Sequence, residues 1–96
     1  TTPKYVTKLG QNYPNPFNPS TEIKFSLKNK SKVTIRVYDV SGRLVNTLVD
    51  GVLDAGPQKV NWNGINSHGS NVASGVYFYR MDTKDYSESK KMILLR

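Results

Sequence analysis

Short runs of alternating apolar and polar residues, each closed by a turn cluster, constrain this chain more than any other feature. Ile23, Phe25 and Leu27 alternate with Lys24 and Ser26, and Val33, Ile35 and Val37 alternate with Thr34, Arg36 and Tyr38. Successive side chains of an extended backbone point to opposite faces, so a period of two describes half-buried strands with one core face each. Helical periodicity is missing almost everywhere. In 96 residues there is room for one small core, and the pattern predicts an all-β, antiparallel β-sandwich without a long helix. The chain has no cysteine, so neither a disulfide framework nor a thiolate metal site can support that core.

Between the first two strands, Lys28 to Lys32 reads as a polar loop, and Ser41-Gly42 turns the chain into a third run, Arg43 to Val49. That run is ambiguous. Leu44 and Leu48 fall on one face and Val45 and Val49 on the other, which requires either a bulge or burial of both faces. Asp54-Ala55-Gly56-Pro57 is the next turn cluster, where Gly tolerates positive φ and Pro presets its own. The strand after it, Gln58 to Trp62, carries the only tryptophan, which is expected to plug the core. Together with Ile23, Phe25, Val33, Ile35 and Val37, the predicted core takes Val60 and Trp62.

Asn63 to Ser74 is rich in Gly, Asn and Ser and reads as a long surface loop. In Val76 to Met81 both faces look covered, as for an inner strand, and Tyr86 to Leu95 is the final strand. There Met92 and Leu94 share one face, and Ile93 and Leu95 the other. A two-layer sandwich covers one of them, so the second face, flanked by Lys90, Lys91 and Arg96, is expected to form an apolar patch rimmed by positive charge.

Near the start, Pro14, Pro16 and Pro19 remove backbone donors, so YPNPFNPST cannot be a central strand. It is expected to be an extended lead that anchors Tyr13 and Phe17 on the sandwich, with residues 1–8 as linker. The chain begins at Thr1, which suggests a module of a longer precursor. No apolar run approaches the length that spans a bilayer.

Fourteen Lys and Arg against seven Asp and Glu give a formal charge of +7. The cations are spread and not interleaved with aromatics, which argues against nucleic acid. Calcium needs several carboxylates, and Val60 to Tyr79 has none. His68 is the only histidine and sits in the polar loop, without the partners of a metal site or triad. No paired carboxylates, activated nucleophile or phosphate-cradling loop stands out, so neither an enzyme nor a cofactor is expected. Trp62, Tyr77 and Tyr79 beside Asn63, Asn66 and Asn71 are residue types that bind sugars, which leaves a carbohydrate-binding module as one competing reading and an inert spacer as another.

Five segments in order, LGQNYPNPFNPSTEIKFSL, VTIRVYDVSGRLVNTLVDG, AGPQKVNWNG, NVASGVYFYRM and KKMILLR, closely resemble the type A C-terminal sorting domain of the type IX secretion system. That family is akin to the immunoglobulin-like domain of flagellar hook-capping proteins. The resemblance covers Leu9 to Arg96 and implies a seven-stranded immunoglobulin-like sandwich ending an exported protein of a Gram-negative bacterium. It further implies that an upstream cargo is carried through the periplasm and an outer-membrane translocon to the cell surface or medium. A sortase-like cysteine peptidase would then cut ahead of Leu9. Carried over to this sequence, the implied recognition residues are Gly75, Val76 and Tyr77 with Lys90, Lys91, Met92, Ile93, Leu94, Leu95 and Arg96.

Overall fold

A computed structural model describes residues 5–96. Seven strands form: β1 (Lys8–Leu9), β2 (Thr21–Leu27), β3 (Ser31–Tyr38), β4 (Leu44–Leu53), β5 (Gly56–Trp62), β6 (Gly75–Asp82) and β7 (Ser87–Leu94). They make a three-stranded sheet, β1-β2-β5, and a four-stranded sheet, β4-β3-β6-β7. Every pairing within the sheets is antiparallel. The fold is the expected all-β, immunoglobulin-like sandwich, and no helix occurs among the described residues.

The alternation read in β2 and β3 is the alternation of burial. Ile23, Phe25 and Leu27 face Val33, Ile35 and Val37 across the sandwich interior, all essentially without solvent contact. Trp62 lies among them at 1% exposure, its ring 5.7 Å from Phe17 and 5.4 Å from Tyr77, with Nε1 donating to the Ile65 carbonyl at 2.8 Å. Burying such an aromatic contributes more than any aliphatic neighbour, provided its N–H is satisfied. Val60, expected in the core, packs against it only half-buried.

Four expectations are corrected. The third run is longer than predicted, and its ambiguous phase has a cause. Arg36 pairs with Thr47 while Ile35 pairs with Val49, and Tyr38 pairs with Leu44 while Val37 pairs with Asn46. Each step leaves one extra residue on β4, so two bulges turn Val45, Leu48 and Val49 toward the core. The turn before β5 is only Asp54-Ala55, because Gly56 and Pro57 already pair with Leu27 and Ser26. Pro57 is tolerated there because β5 is an edge strand. β6 is inner by strand order but covered on one face alone: Tyr77, Tyr79 and Met81 are buried while Phe78 and Arg80 face solvent. Finally, Phe17 anchors the lead at 2% exposure, but Tyr13 does not, at 79%.

Asn12 takes the inward place that Tyr13 was expected to fill. Its Nδ2 donates to Thr21 Oγ1 at 3.1 Å and the Pro14 carbonyl at 3.2 Å, and its N–H to Tyr79 Oη at 2.8 Å. Of the segment expected as linker, residues 1–4 lie outside the described residues. Lys8 pairs with Ser26, and Thr7 Oγ1 accepts the Lys28 N–H at 3.0 Å.

Candidate functional site

β6 and β7 bring the two halves of the predicted recognition set together. Gly75 pairs with Leu94, Val76 with Ile93 and Tyr77 with Met92, so SGVY and the terminal strand are one ladder. At the start of β6, Gly75 holds φ near +153°, a conformation that L side chains rarely adopt. Ala73 accepts the Tyr77 hydroxyl at 2.7 Å through its carbonyl. Burial, and then the Asp39 carboxylate, raise the Tyr77 pKa, so this hydroxyl stays a donor.

Alternation divides the terminal residues between two environments. Met92 and Leu94 are fully buried and belong to the core, whereas Lys91 and Leu95 are exposed and Ile93 is half-exposed. Lys90 shares the inward phase with Met92, and its Nζ pairs with Glu88 Oε2 at 3.1 Å. Lys90 and Lys91 therefore do not rim one patch.

Arg96 is engaged as well. Its Nε donates to the Val72 carbonyl at 2.6 Å, its Nη2 to the Gly64 carbonyl, and its backbone N–H to Ser74 Oγ at 2.8 Å. A Cβ on Gly64 would lie 2.7 Å from that Nη2 and 3.2 Å from Leu94 Cδ2, and φ there is +70°, so only glycine fits under the latch. The predicted rim thus reduces to Lys91, which has no carboxylate within ion-pair distance among the described residues.

The outer edge of β7 is also occupied. Gln11 Nε2 donates to the Lys91 carbonyl at 2.9 Å, Asn15 Oδ1 accepts the Ile93 N–H at 3.0 Å, and Phe17 exchanges backbone bonds with Ile93 and Leu95 at 2.9 Å each. Sequence reasoning missed Gln11 and Asn15. Their spacing with Phe17 in a proline-rich lead is consistent with edge capping, but nothing local names the strand that is capped.

The loop after β5 is folded onto β4. Asn66 Oδ1 accepts the N–H groups of His68 at 2.9 Å and Ser70 at 3.0 Å, and Ser67 N–H donates to the Val45 carbonyl at 2.9 Å. His68 is exposed in this turn. Among the described residues no cluster of His, Cys, Asp or Glu could hold a metal ion, and no helix is long and apolar enough to cross a membrane. A sugar platform of Trp62, Tyr77 and Tyr79 is overturned by their burial at 1%, 7% and 0% exposure, because a stacking ring must present its face to solvent.

A family model described as the secretion system C-terminal sorting domain matches residues 11–95. No curated protein matches the chain. Among solved structures, dimeric latent PorU from Porphyromonas gingivalis is similar at a TM-score of 0.76 and 24% identity, over 94% of this chain and 9% of PorU. PorZ, an essential bacterial surface component of the type-IX secretion system of the same organism, is similar at 0.65 and 24%, over 90% of this chain and 11% of PorZ. The chain therefore spans about a tenth of the length of either protein, and the likeness is one of fold.

Proposed function

The chain belongs to the family of secretion system C-terminal sorting domains, and on that premise we propose that it directs an upstream cargo through the type IX outer-membrane translocon. A domain of this family is a sorting signal of an exported protein, secreted or held at the cell surface, and is typically non-catalytic. In the proposed route the domain, residues 9–96, reaches the periplasm as the end of its cargo. The translocon then recognises the β6–β7 ladder, and a sortase-like cysteine peptidase cuts in or before residues 1–8.

The observation that carries this reading is the pairing of Gly75-Val76-Tyr77 with Met92-Ile93-Leu94. It joins the two motifs into one ladder, in which Val76 and Ile93 stay partly open to solvent while Tyr77, Met92 and Leu94 belong to the core. Core packing alone does not account for Lys91 and Leu95, which are exposed on either side of the buried Met92 and Leu94.

The test fuses the domain to a periplasmic reporter in a bacterium with type IX secretion. The reporter should appear outside the cell and lose the domain, while the reporter alone stays in the periplasm. Equal retention of the two proteins would end this reading. Export of an uncleaved fusion would remove the peptidase step and leave the sorting role intact.

A further inference from the structure

One row of side chains crosses all four strands of the larger sheet on the side away from the core. Leu44 stands opposite Tyr38, Tyr38 opposite Phe78, and Phe78 opposite Lys91. The next row pairs Val76 with Ile93, and Leu95 lies one step beyond. Large apolar groups are open to solvent here, with Leu44 55%, Phe78 37% and Leu95 51% exposed. A sandwich of two layers has nothing to lay over this face.

We propose that this stripe is the docking surface of the domain, and that it receives a protein surface offering an apolar strip flanked by carboxylates. The choice of face follows by elimination. The inner face of β7 is core, and its outer edge toward the C-terminus is already hydrogen-bonded to Gln11, Asn15 and Phe17. A partner that adds a strand to an edge would find those groups taken. Only the outer side chains of the terminal strand can be read, and they are continuous with Phe78 and Tyr38.

Charge selects the partner. Arg36, Arg80 and Lys91 flank the apolar row; of the carboxylates on this side, Asp82 is bound by Arg80 Nε at 3.0 Å and Asp39, beside Tyr38 and Phe78, by Arg43 Nε at 3.7 Å, while Asp50 lies farther out opposite Thr34. A second copy of this chain would bring the same cations face to face in a two-fold contact, which disfavours self-association. An apolar centre with aromatic and Arg residues beside it has the composition of a protein interface.

This proposal rests on the sorting reading of the domain, and the experiment separates failure of the one from failure of the other. The experiment uses the reporter fusion with Phe78→Glu, Leu95→Glu and Lys91→Glu, each checked by thermal melting. Lys59→Glu, on the outer face of the other sheet, matches the charge change of Lys91→Glu, and Lys59→Gln matches that of Phe78→Glu and Leu95→Glu. Variants that melt like the parent should lower delivery by about tenfold, the effect of losing one interface anchor, while both Lys59 variants leave it unchanged. Should Phe78→Glu fail to fold, Leu95→Glu and Lys91→Glu at the strand end carry the test. Parent-level delivery by the folded variants, or an equal loss with the matching Lys59 variant, overturns the docking face and spares the sorting role. If the parent domain delivers no more reporter than the reporter alone, both fall.

Discussion

Phe17 and Leu94 are neighbours in a parallel bridge, although they come from opposite ends of the domain. The Phe17 N–H donates to the Ile93 carbonyl and the Phe17 carbonyl accepts the Leu95 N–H, both at 2.9 Å. An edge strand normally exposes such groups and invites further strands. Here a lead whose prolines lack donors closes the edge and cannot propagate it. The two ends of the domain are therefore one structural unit.

Replacing Phe17 with Ala should destabilise the domain by about 3 kcal/mol, because a ring at 2% exposure against Trp62 leaves a cavity when removed. Tyr13→Ala should stay within about 0.5 kcal/mol, since that ring is in solvent. Denaturant unfolding of both variants checks the contrast. Equal effects would mean that the lead does not anchor through Phe17.

Trp62 should emit in the blue-shifted range of a buried indole and should not respond to added glycans. Unfolding should shift the emission red. A sugar-dependent change in the native spectrum would contradict the packing described for this ring.

The strands with clean alternation were legible in the sequence, and so was the core role of Trp62, because burial on one face leaves a period of two. Tyr13 faces solvent at 79% exposure, because the size of an aromatic among prolines does not decide which residue of the lead is buried. The lead is not extended throughout, since it bends at Pro14–Pro16 and again at Asn18–Pro19; beside the bridge of Tyr13 to Glu22, the hydrogen bonds of Asn12 to Thr21 and Tyr79 decide which neighbour turns inward. The bulges of β4 have no local signature, since they exist only as register against β3. Lys90 and Lys91 could have been separated by phase alone. The latch between Arg96 and Gly64 could not, because a Gly- and Asn-rich loop carries no sign of which distant cation will bind its carbonyls.

Tyr79 ties the lead to the sandwich through one hydroxyl, which donates to the Gly10 carbonyl at 2.8 Å and accepts the Asn12 N–H at 2.8 Å. Burial raises its pKa from 10.0 to about 12. The folded state thus favours the neutral phenol, and the stability this confers is complete below pH 10 and is lost as pH rises toward 12. Tyr79→Phe should cost about 1–3 kcal/mol at neutral pH by leaving both backbone groups unpaired. It should also flatten the alkaline part of the stability profile, measured by chemical unfolding from pH 8 upward.

Asp39 organises the turn between β3 and β4. Its Oδ1 accepts the Ser41 hydroxyl at 2.6 Å and the N–H groups of Ser41 at 2.9 Å and Arg43 at 3.0 Å. These bonds, the Ser41 hydroxyl foremost, hold its pKa below the ordinary 3.8. A depressed carboxylate stabilises the fold above that value and ceases to do so as pH falls through its native pKa. Asp39→Asn should therefore lose less stability than the parent between pH 5 and pH 2. Parallel acid profiles for the two proteins would show that the turn does not depend on this charge.

Arg96 should matter first to the loop it holds. With Val72 and Gly64 carbonyls bound by its guanidinium, and with Val72 N–H on Gly64 at 3.0 Å, the segment between β5 and β6 is closed by the last residue of the chain. Charge-assisted bonds of this kind contribute more than neutral ones, but the site is open to water, so their loss should cost about 1 kcal/mol. Arg96→Ala should then speed amide exchange in residues 64–74 by roughly fivefold to tenfold while β2 and β3 keep their protection. Arg96→Lys should recover little, because an ammonium cannot serve both carbonyls with the geometry of a planar fork. Unchanged exchange in Arg96→Ala would mean that the latch holds nothing in place. The guanidinium would then be free to turn outward beside Leu95, joining Lys91 on the face available to a partner.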